Sequence, residues 1–370
     1  MPLDFLERIT THFSKQLPFV AYRKPNEVTV KAIFQNDDQL HSLETYTETG
    51  FVFAPFAEEQ PTVLLKPDTI VEIPASELPF NTLEPNSLRE TVDQEKRDAH
   101  LHLIKRGMDE IEKGSIEKVV LSRRIETGSD LLPIDLFKKL LVSYPNALCY
   151  LWYHPKVGLW LGATPEILIL LKNRQLTTMS LAGTQKFTGK DYVEWGNKEL
   201  EEQQLVTNYI VNALKGLVDK LEKTDTETVR AGNLLHLRTK ITGVVSKDNV
   251  KDIVKALHPT PAVCGMPKAN ARDFITNYEN YDREYYTGFL GELNLKTEKQ
   301  RSARRKNQEN QAYRAISSTT TLYVNLRCMQ LKNDKAFLYV GGGITKDSNP
   351  EREWEETVAK SETMLSILDN

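Results

Sequence analysis

The spacing of apolar and polar positions changes character along the chain. Residues 4–13 have the pattern of a short amphipathic helix, and 27–34 and 50–53 read as strands. Pro55, Pro61, Pro67, Pro74, Pro79 and Pro85 then punctuate the chain, as in an irregular edge or a covering segment. Residues 90–113 are polar and helical, with His102, Ile104, Met108 and Ile111 recurring at near-helical spacing. From Lys118 the pattern becomes regular. Residues 118–124 read as a strand with Lys118, Val120, Ser122 and Arg124 on one face. A helix over 133–142 and strands over 147–152, 158–161, 167–171 and 176–183 follow. Residues 197–217 predict a long helix with Val206, Tyr209, Ile210, Ala213 and Leu217 as its apolar stripe. A strand at 235–243 and helices at 250–257 and 270–278 come next, then strands at 288–295, 319–329 and 336–340. Three glycines, Gly341 to Gly343, read as a turn with exposed amides, and Asn349 and Pro350 cap a last helix. No internal repeat is present. Long strands with irregularly interleaved helices predict a mixed α+β fold. Residues 1–95 are expected to cover a core built by 96–370, the whole forming one structural domain.

Composition narrows the classes of function. The chain has 370 residues, 40% hydrophobic and 27% charged, and its net charge of -3 gives no argument for nucleic acid or a lipid surface. The basic run at 296–314, with Lys299, Arg301, Arg304, Arg305 and Lys306, has no aromatic platform beyond Tyr313, so it reads as a hairpin excursion. Cys149, Cys264 and Cys328 stand far apart, which suggests a reducing compartment and no structural zinc site. Neither a leader-like start nor an apolar run of about 18 residues is present. The expectation is a cytoplasmic protein, a monomer or a weak homodimer.

Several residues carry candidate chemistry. Lys118 opens an apolar strand, where desolvation makes a general base and a strand-end lysine reaching water is the competing reading. Glu166 follows Pro165 at a strand start, where a carboxyl is held rigidly. Glu199 and Glu202 share the first turns of the long helix, and Glu353, Glu356 and Lys360 share one face of the last. Carboxylates in first helical turns also simply complement the helix dipole. Glu202 and Glu356, on separate helices, could hold one Mg²⁺ with room left for substrate oxygens. His236 and Arg327 project from strands, the arginine suited to a bidentate grip on a carboxylate.

Together these segments resemble the chorismate-utilising enzymes, the family of anthranilate synthase component I. The matching pieces are KVVLSR at 118–123, GATPE at 162–166, SLAGT at 180–184, the helix at 198–206 and HL at 236–237. HPTPAVCGMP at 258–267, YDREYYTG at 281–288, the strand to Arg327, GGGI at 341–344 and PEREWEET at 350–357 complete them. The resemblance covers about residues 100–366. It implies one large α/β domain with extended antiparallel sheets around a central site, and Mg²⁺-dependent replacement of the chorismate ring hydroxyl. By the same resemblance Lys118 activates the nucleophile, Glu166 protonates the departing hydroxyl, and His236 belongs to the catalytic set. Glu202 and Glu356 would bind Mg²⁺, with Glu353 and Glu199 beside it. Arg327, Lys360 and the amides near Gly341 and Gly342 would hold the substrate carboxylates, while Gly183 and Ala262 line the ring. Ammonia-using members resemble one another in carrying glutamine at position 118 and threonine at 262, and the aminodeoxychorismate type carries lysine at 182. Lys118, Ala262 and Ala182 therefore imply water as nucleophile and an isochorismate-forming enzyme. The alternatives are a salicylate synthase that goes on to eliminate pyruvate and an inactive anion-binding protein. Gln203 and Glu292 depart from the family's usual histidine and tryptophan, and the first bears on the surroundings of the metal.

Overall fold

The structure, a computed structural model, describes residues 2–79, 90, 93–187, 189, 193–231, 234–246, 249–299 and 315–368. Most of the basic run lies outside them. The chain begins with α1 (Pro2–Ser14), β1 (Phe19–Arg23), β2 (Thr29–Phe34), β3 (His41–Ser42), β4 (Gly50–Ala54), β5 (Val63–Leu65) and β6 (Thr69–Pro74). It continues through α2 (Gln94–Glu112), β7 (Lys118–Gly128), α3 (Pro133–Ser143), β8 (Leu148–His154), β9 (Gly158–Thr164), β10 (Ile167–Lys172) and β11 (Gln175–Lys186). Then come α4 (Asn197–Leu214), β12 (Asp219–Lys223), β13 (Glu227–Ala231), β14 (Leu234–Val244), α5 (Val250–Leu257), β15 (Gly265–Met266) and α6 (Lys268–Tyr278). The last elements are β16 (Phe289–Lys299), β17 (Ala315–Val324), β18 (Cys328–Lys332), β19 (Lys335–Ile344) and α7 (Pro350–Leu368).

These strands build two antiparallel sheets. The first runs β15-β7-β19-β18-β9-β8-β1-β2-β6, the second β12-β14-β11-β10-β17-β16-β4-β5-β3, with β13 also paired to β14. The N-terminal strands extend both sheets. Side-chain alternation explains the layering. On β8, Tyr150 and Trp152 pack with Phe51, Phe53 and Leu290 of the second sheet. Cys149 and Leu151 turn the other way, to the layer formed by α1, α3 and α7. Both faces of this strand are covered, so it is buried throughout and apolar or aromatic up to its closing His154. Helices α4 and α5 cover the outer face of the second sheet through Val206, Ile210, Ile253 and Val254. The mixed α+β expectation is met by a four-layer arrangement with two sheets inside.

Two of the points at which the chain crosses between the sheets are neighbours. Pro165 and Glu166 link β9 of the first sheet to β10 of the second, and Asn325 to Arg327 link β17 of the second to β18 of the first. The crossings are tied together: Thr164 Oγ1 donates to Val324 O at 2.6 Å, Val324 N to Glu166 O at 2.9 Å, and Ala163 N to Arg327 O at 3.0 Å. Arg327 itself has φ +47°, a left-handed conformation that costs a non-glycine residue energy. The single strand expected over 319–329 is thus two strands in different sheets, separated by a sharp turn at Arg327.

Three other expectations change. The glycines are no turn: β19 runs on through them, pairing Gly341 with Ser122, Gly342 with Leu121 and Gly343 with Val120. The long helix stops at Leu214, three residues early. On α2 the buried residues are His100, Leu101, Ile104 and Gly107, so the buried face is shifted away from His102. Asn349 caps α7 as expected, its Oδ1 accepting from Arg352 N at 3.1 Å.

Strand β7 has little strand partner on its outer side. β15 covers only Lys118 and Val119. Beyond it, Val120 N donates to Cys264 O at 2.8 Å, Arg283 Nη2 to Val120 O at 2.7 Å, and Ser122 N to Glu279 Oε1 at 2.7 Å. Arg283 and Glu279, 2.6 Å apart and both buried, are thereby a paired substitute for a strand.

Candidate active site

The seam at the two crossings widens into a cavity of about 850 Å³, counting its part open to solvent. Glu166 and Arg327 enter it because the crossings point them there. Glu166 is 5% exposed. Burial pushes its carboxyl up to about 7, against the opposing pull of Lys118, Lys360 and Arg327. It is therefore a carboxylic acid close to neutral pH, able to give a proton.

His236 also faces the cavity, on β14. Its Nδ1 lies 3.0 Å from Gly183 O, and its Nε2 lies 3.1 Å from Arg327 Nη2. Burial, then Arg327 and Lys360, push the imidazole down to about 3, so the ring is neutral. Nδ1–H then donates to Gly183 O, and Nε2 accepts from the guanidinium. The histidine orients the arginine. Burial lowers Arg327 to about 10, leaving it charged. Gly183 offers its carbonyl from φ +68°, inside an irregularity of β11 where a Cβ would lie 3.1 Å from Glu199 Cβ.

Three carboxylates and three ammonium groups meet beside the glycines of β19. Lys118 Nζ is 2.7 Å from Glu202 Oε1, Lys198 Nζ 2.5 Å from Glu353 Oε1, and Lys360 Nζ 2.6 Å from Glu356 Oε1. Lys360 also donates to Gly341 O at 2.8 Å. A Cβ on Gly343 would stand 2.8 Å from Glu202 Oε1 and 2.9 Å from Lys118 Cε, and one on Gly342 would stand 3.6 Å from Glu353 Oε2 and 3.8 Å from Glu356 Oε1. The glycines are needed because carboxylates lie against the sheet. Burial raises Glu202, but Lys118 outweighs it and holds the carboxyl below its usual range. Burial and the neighbouring Glu356 hold Glu353 above that range. Burial would lower Lys198, but Glu353 raises it.

The remaining expected residues take distinct places. Ala262, Gly341, Gly342, Glu202, Glu356 and Lys360 line the cavity, as do Gly183 and Ala182. Lys118, 1% exposed, sits behind this wall, against Glu202 and Gly343. Glu199 does not join the other carboxylates. Its Oε2 folds back over Gly196, 2.7 Å from where that residue's Cβ would be, the geometry of an N3 glutamate turned to its helix N-cap. Gln203 points into the second sheet, its Nε2 donating to Ser180 Oγ at 2.9 Å and Thr239 Oγ1 at 3.2 Å. Glu292 is explained by the opposite sheet: Tyr22 donates to it at 2.5 Å, Lys24 at 3.0 Å and Lys31 at 3.2 Å. Sequence reasoning missed Tyr286 and Tyr339, which stack at 5.4 Å on the cavity wall, and missed Lys198. An aromatic pair at positions 285–286 and a lysine one turn before Glu202 were the available signals.

Among the described residues no three histidine, cysteine, aspartate or glutamate side chains already stand in metal-ligand geometry. The donor set nonetheless suits a hard divalent cation. Carboxylate oxygens from α4 and α7 converge on backbone that has no Cβ, and their present counter-charges are ammonium groups that a cation could replace.

Comparison with known proteins shows the family. A family model described as chorismate binding enzyme matches residues 68–300, and a second of the same description matches 315–366. The chain belongs to the chorismate-binding enzyme family. It is 26% identical over 336 residues to the vibriobactin-specific isochorismate synthase of Vibrio cholerae serotype O1, covering 85% of this chain and 78% of that protein. It is 28% identical over 268 residues to isochorismate synthase EntC of Escherichia coli strain K12, covering 68% of this chain and 62% of that protein. The solved structure of DhbC from Bacillus anthracis superposes with a TM-score of 0.76 at 21% identity, covering 98% of this chain and 99% of that one, which establishes the shared fold.

Proposed function

We propose that the protein is an isochorismate synthase, converting chorismate to isochorismate with Mg²⁺. The observation that carries this reading is the cavity itself. It holds a carboxyl poised as an acid, Glu166, together with Arg327 and Lys360, the cations a dianionic substrate requires. In this reading Arg327, steadied by His236, and Lys360, anchored on Gly341 O, hold the substrate carboxylates. Water adds at the ring carbon next to the carboxyl-bearing carbon, and Lys118 takes its proton. The ring double bonds shift, and the departing hydroxyl leaves as water with the proton of Glu166. One water enters and one leaves, so the product is an isomer. Glu202, Glu356 and Glu353 would hold Mg²⁺, which supplies positive charge against the substrate carboxylate. Ala182 and Ala262 leave no amine or hydroxyl at the two positions where family members of other chemistry carry one.

The test is product identification from purified protein, chorismate and Mg²⁺ in ¹⁸O-labelled water. Labelled isochorismate, formed reversibly, is the expected result. Salicylate as the main early product, an aromatic amine with added ammonium, or unlabelled isochorismate would each reject the reading.

A further inference from the structure

Three lysines neutralise the three carboxylates, and they are not equally free to leave. Lys118 is 1% exposed and enclosed by Gly343 and Glu202. Lys360 is fastened twice, to Glu356 and to Gly341 O. Lys198 differs from both. It rises from the first turn of α4, its side chain is 30% exposed, and its ammonium grips Glu353, whose side chain is 2% exposed. It also borders a second cavity, away from Glu166, where Asp109, Glu112, Glu201 and Asp347 supply carboxylates. Glu202 lines both cavities, so the wall between them is one side chain thick there.

Resting on the divalent-cation site proposed above, we propose that Lys198 is the placeholder of that site, an ammonium that neutralises Glu353 until a divalent cation displaces it into the outer cavity. The physical reason is the position of Glu353. It is buried beside Glu356, and a buried carboxylate next to a like charge is costly without a counter-ion. Lys198 supplies that charge when no cation is bound, preserving the carboxylate geometry. On exchange the lysine keeps its stem on the helix, and its head meets water and the acids of the outer cavity. Lys198 is a positioning residue, touching no reacting atom, and it sets cation affinity by competition.

Competition and support predict opposite signs. Mg²⁺ affinity would be measured by calorimetric titration without chorismate in the wild type, Lys198→Gln, Lys198→Arg and Glu356→Gln. Lys198→Gln removes the competitor and should bind Mg²⁺ about two- to fivefold more tightly, the range expected for losing a partly exposed ion pair. Lys198→Arg keeps the charge and should bind no more tightly than the wild type. Equal or weaker binding by Lys198→Gln, with a wild-type site that Glu356→Gln weakens, overturns the placeholder role and leaves the metal site standing. No Mg²⁺ binding by the wild type overturns both. A second readout needs no variant: limited acetylation of the native protein, followed by mass spectrometry, should modify Lys198 faster with Mg²⁺ than without. An unchanged or slower rate at Lys198 overturns the displacement.

Discussion

Glu166 and Glu292 are both glutamates buried between the same two sheets, 5% and 3% exposed, yet their carboxyls are driven in opposite directions. Burial raises both. Glu292 has Lys24 and Lys31 as ion-pair partners and a hydrogen bond from Tyr22, and these outweigh burial and hold it below its ordinary range. Glu166 feels Lys118, Lys360 and Arg327 only as a field, with no hydrogen bond to its carboxyl among the described residues, and burial wins. Contact rather than burial decides the charge state. Saturated with donors, Glu292 ties one sheet to the other. Left with a cavity in front of it, Glu166 keeps a proton to give.

The largest effect should come from removing the proton donor. Glu166→Gln should cut turnover about 10²–10⁴-fold, as should Lys118→Met, because each removes a proton-transfer group. Near-native turnover of either folded variant would return that residue to a structural role. Next in size is pH: protonated Glu166 is the active form, so in Lys118→Met, where no lysine base titrates alongside it, the residual kcat/KM should fall about tenfold per unit above pH 7. A profile flat to pH 9 would contradict that carboxyl as the acid. Glu292→Gln should show the reverse pattern. It should cost about 1–3 kcal/mol of stability in urea unfolding, from buried donors left without their anion. The folded variant should keep kcat/KM within a few-fold, and a loss as deep as that of Glu166→Gln would erase the distinction between the two glutamates.

The smallest and most discriminating effect is the pH dependence of stability. Glu166 has a folded pKa above its ordinary 4.5, so the folded state holds its proton more tightly. Its contribution is present below about pH 4.5 and lost as pH rises towards 7. Wild type should therefore lose stability against Glu166→Gln across that window. Glu292 is depressed below 4.5, so its contribution is present above that value and lost as pH falls. The stability gap between wild type and Glu292→Gln should close under acid. Two difference curves of the same slope would refute the opposed assignments.

Much of the fold was legible because its periodicities are strong. Helices α3, α5 and α6 and strands β8 to β11 follow from apolar spacing to within a few residues. What escaped depends on partners distant in sequence. β1 is buried at every position, so it shows no alternation to read. β12 is almost wholly exposed and shows no apolar face. The break at Arg327 escaped because apolar residues continue on both sides, and only the change of sheet forces the turn. Glycines punctuate chains far more often than they make room, so the run at Gly341 read as a turn; Glu202, from another helix, gives it its meaning. The carboxylate and lysine types at the site were legible from the motifs. Their pairing was not, since Lys198 and Glu353 lie far apart in the chain and meet only when α4 and α7 pack around β19.

The paired Glu279 and Arg283 beside β7 have a consequence for the chain's behaviour among its neighbours in a crowded solution. A long strand with unclaimed amides and carbonyls is a template on which a foreign chain can lay a strand of its own. Here Arg283 takes the carbonyl of Val120 and Glu279 takes the amide of Ser122, so an incoming strand finds those positions occupied. The same two side chains thus close the part of that rim just beyond the pairing of Lys118 and Val119 with β15. One buried ion pair stands where a neighbouring chain would otherwise add its backbone.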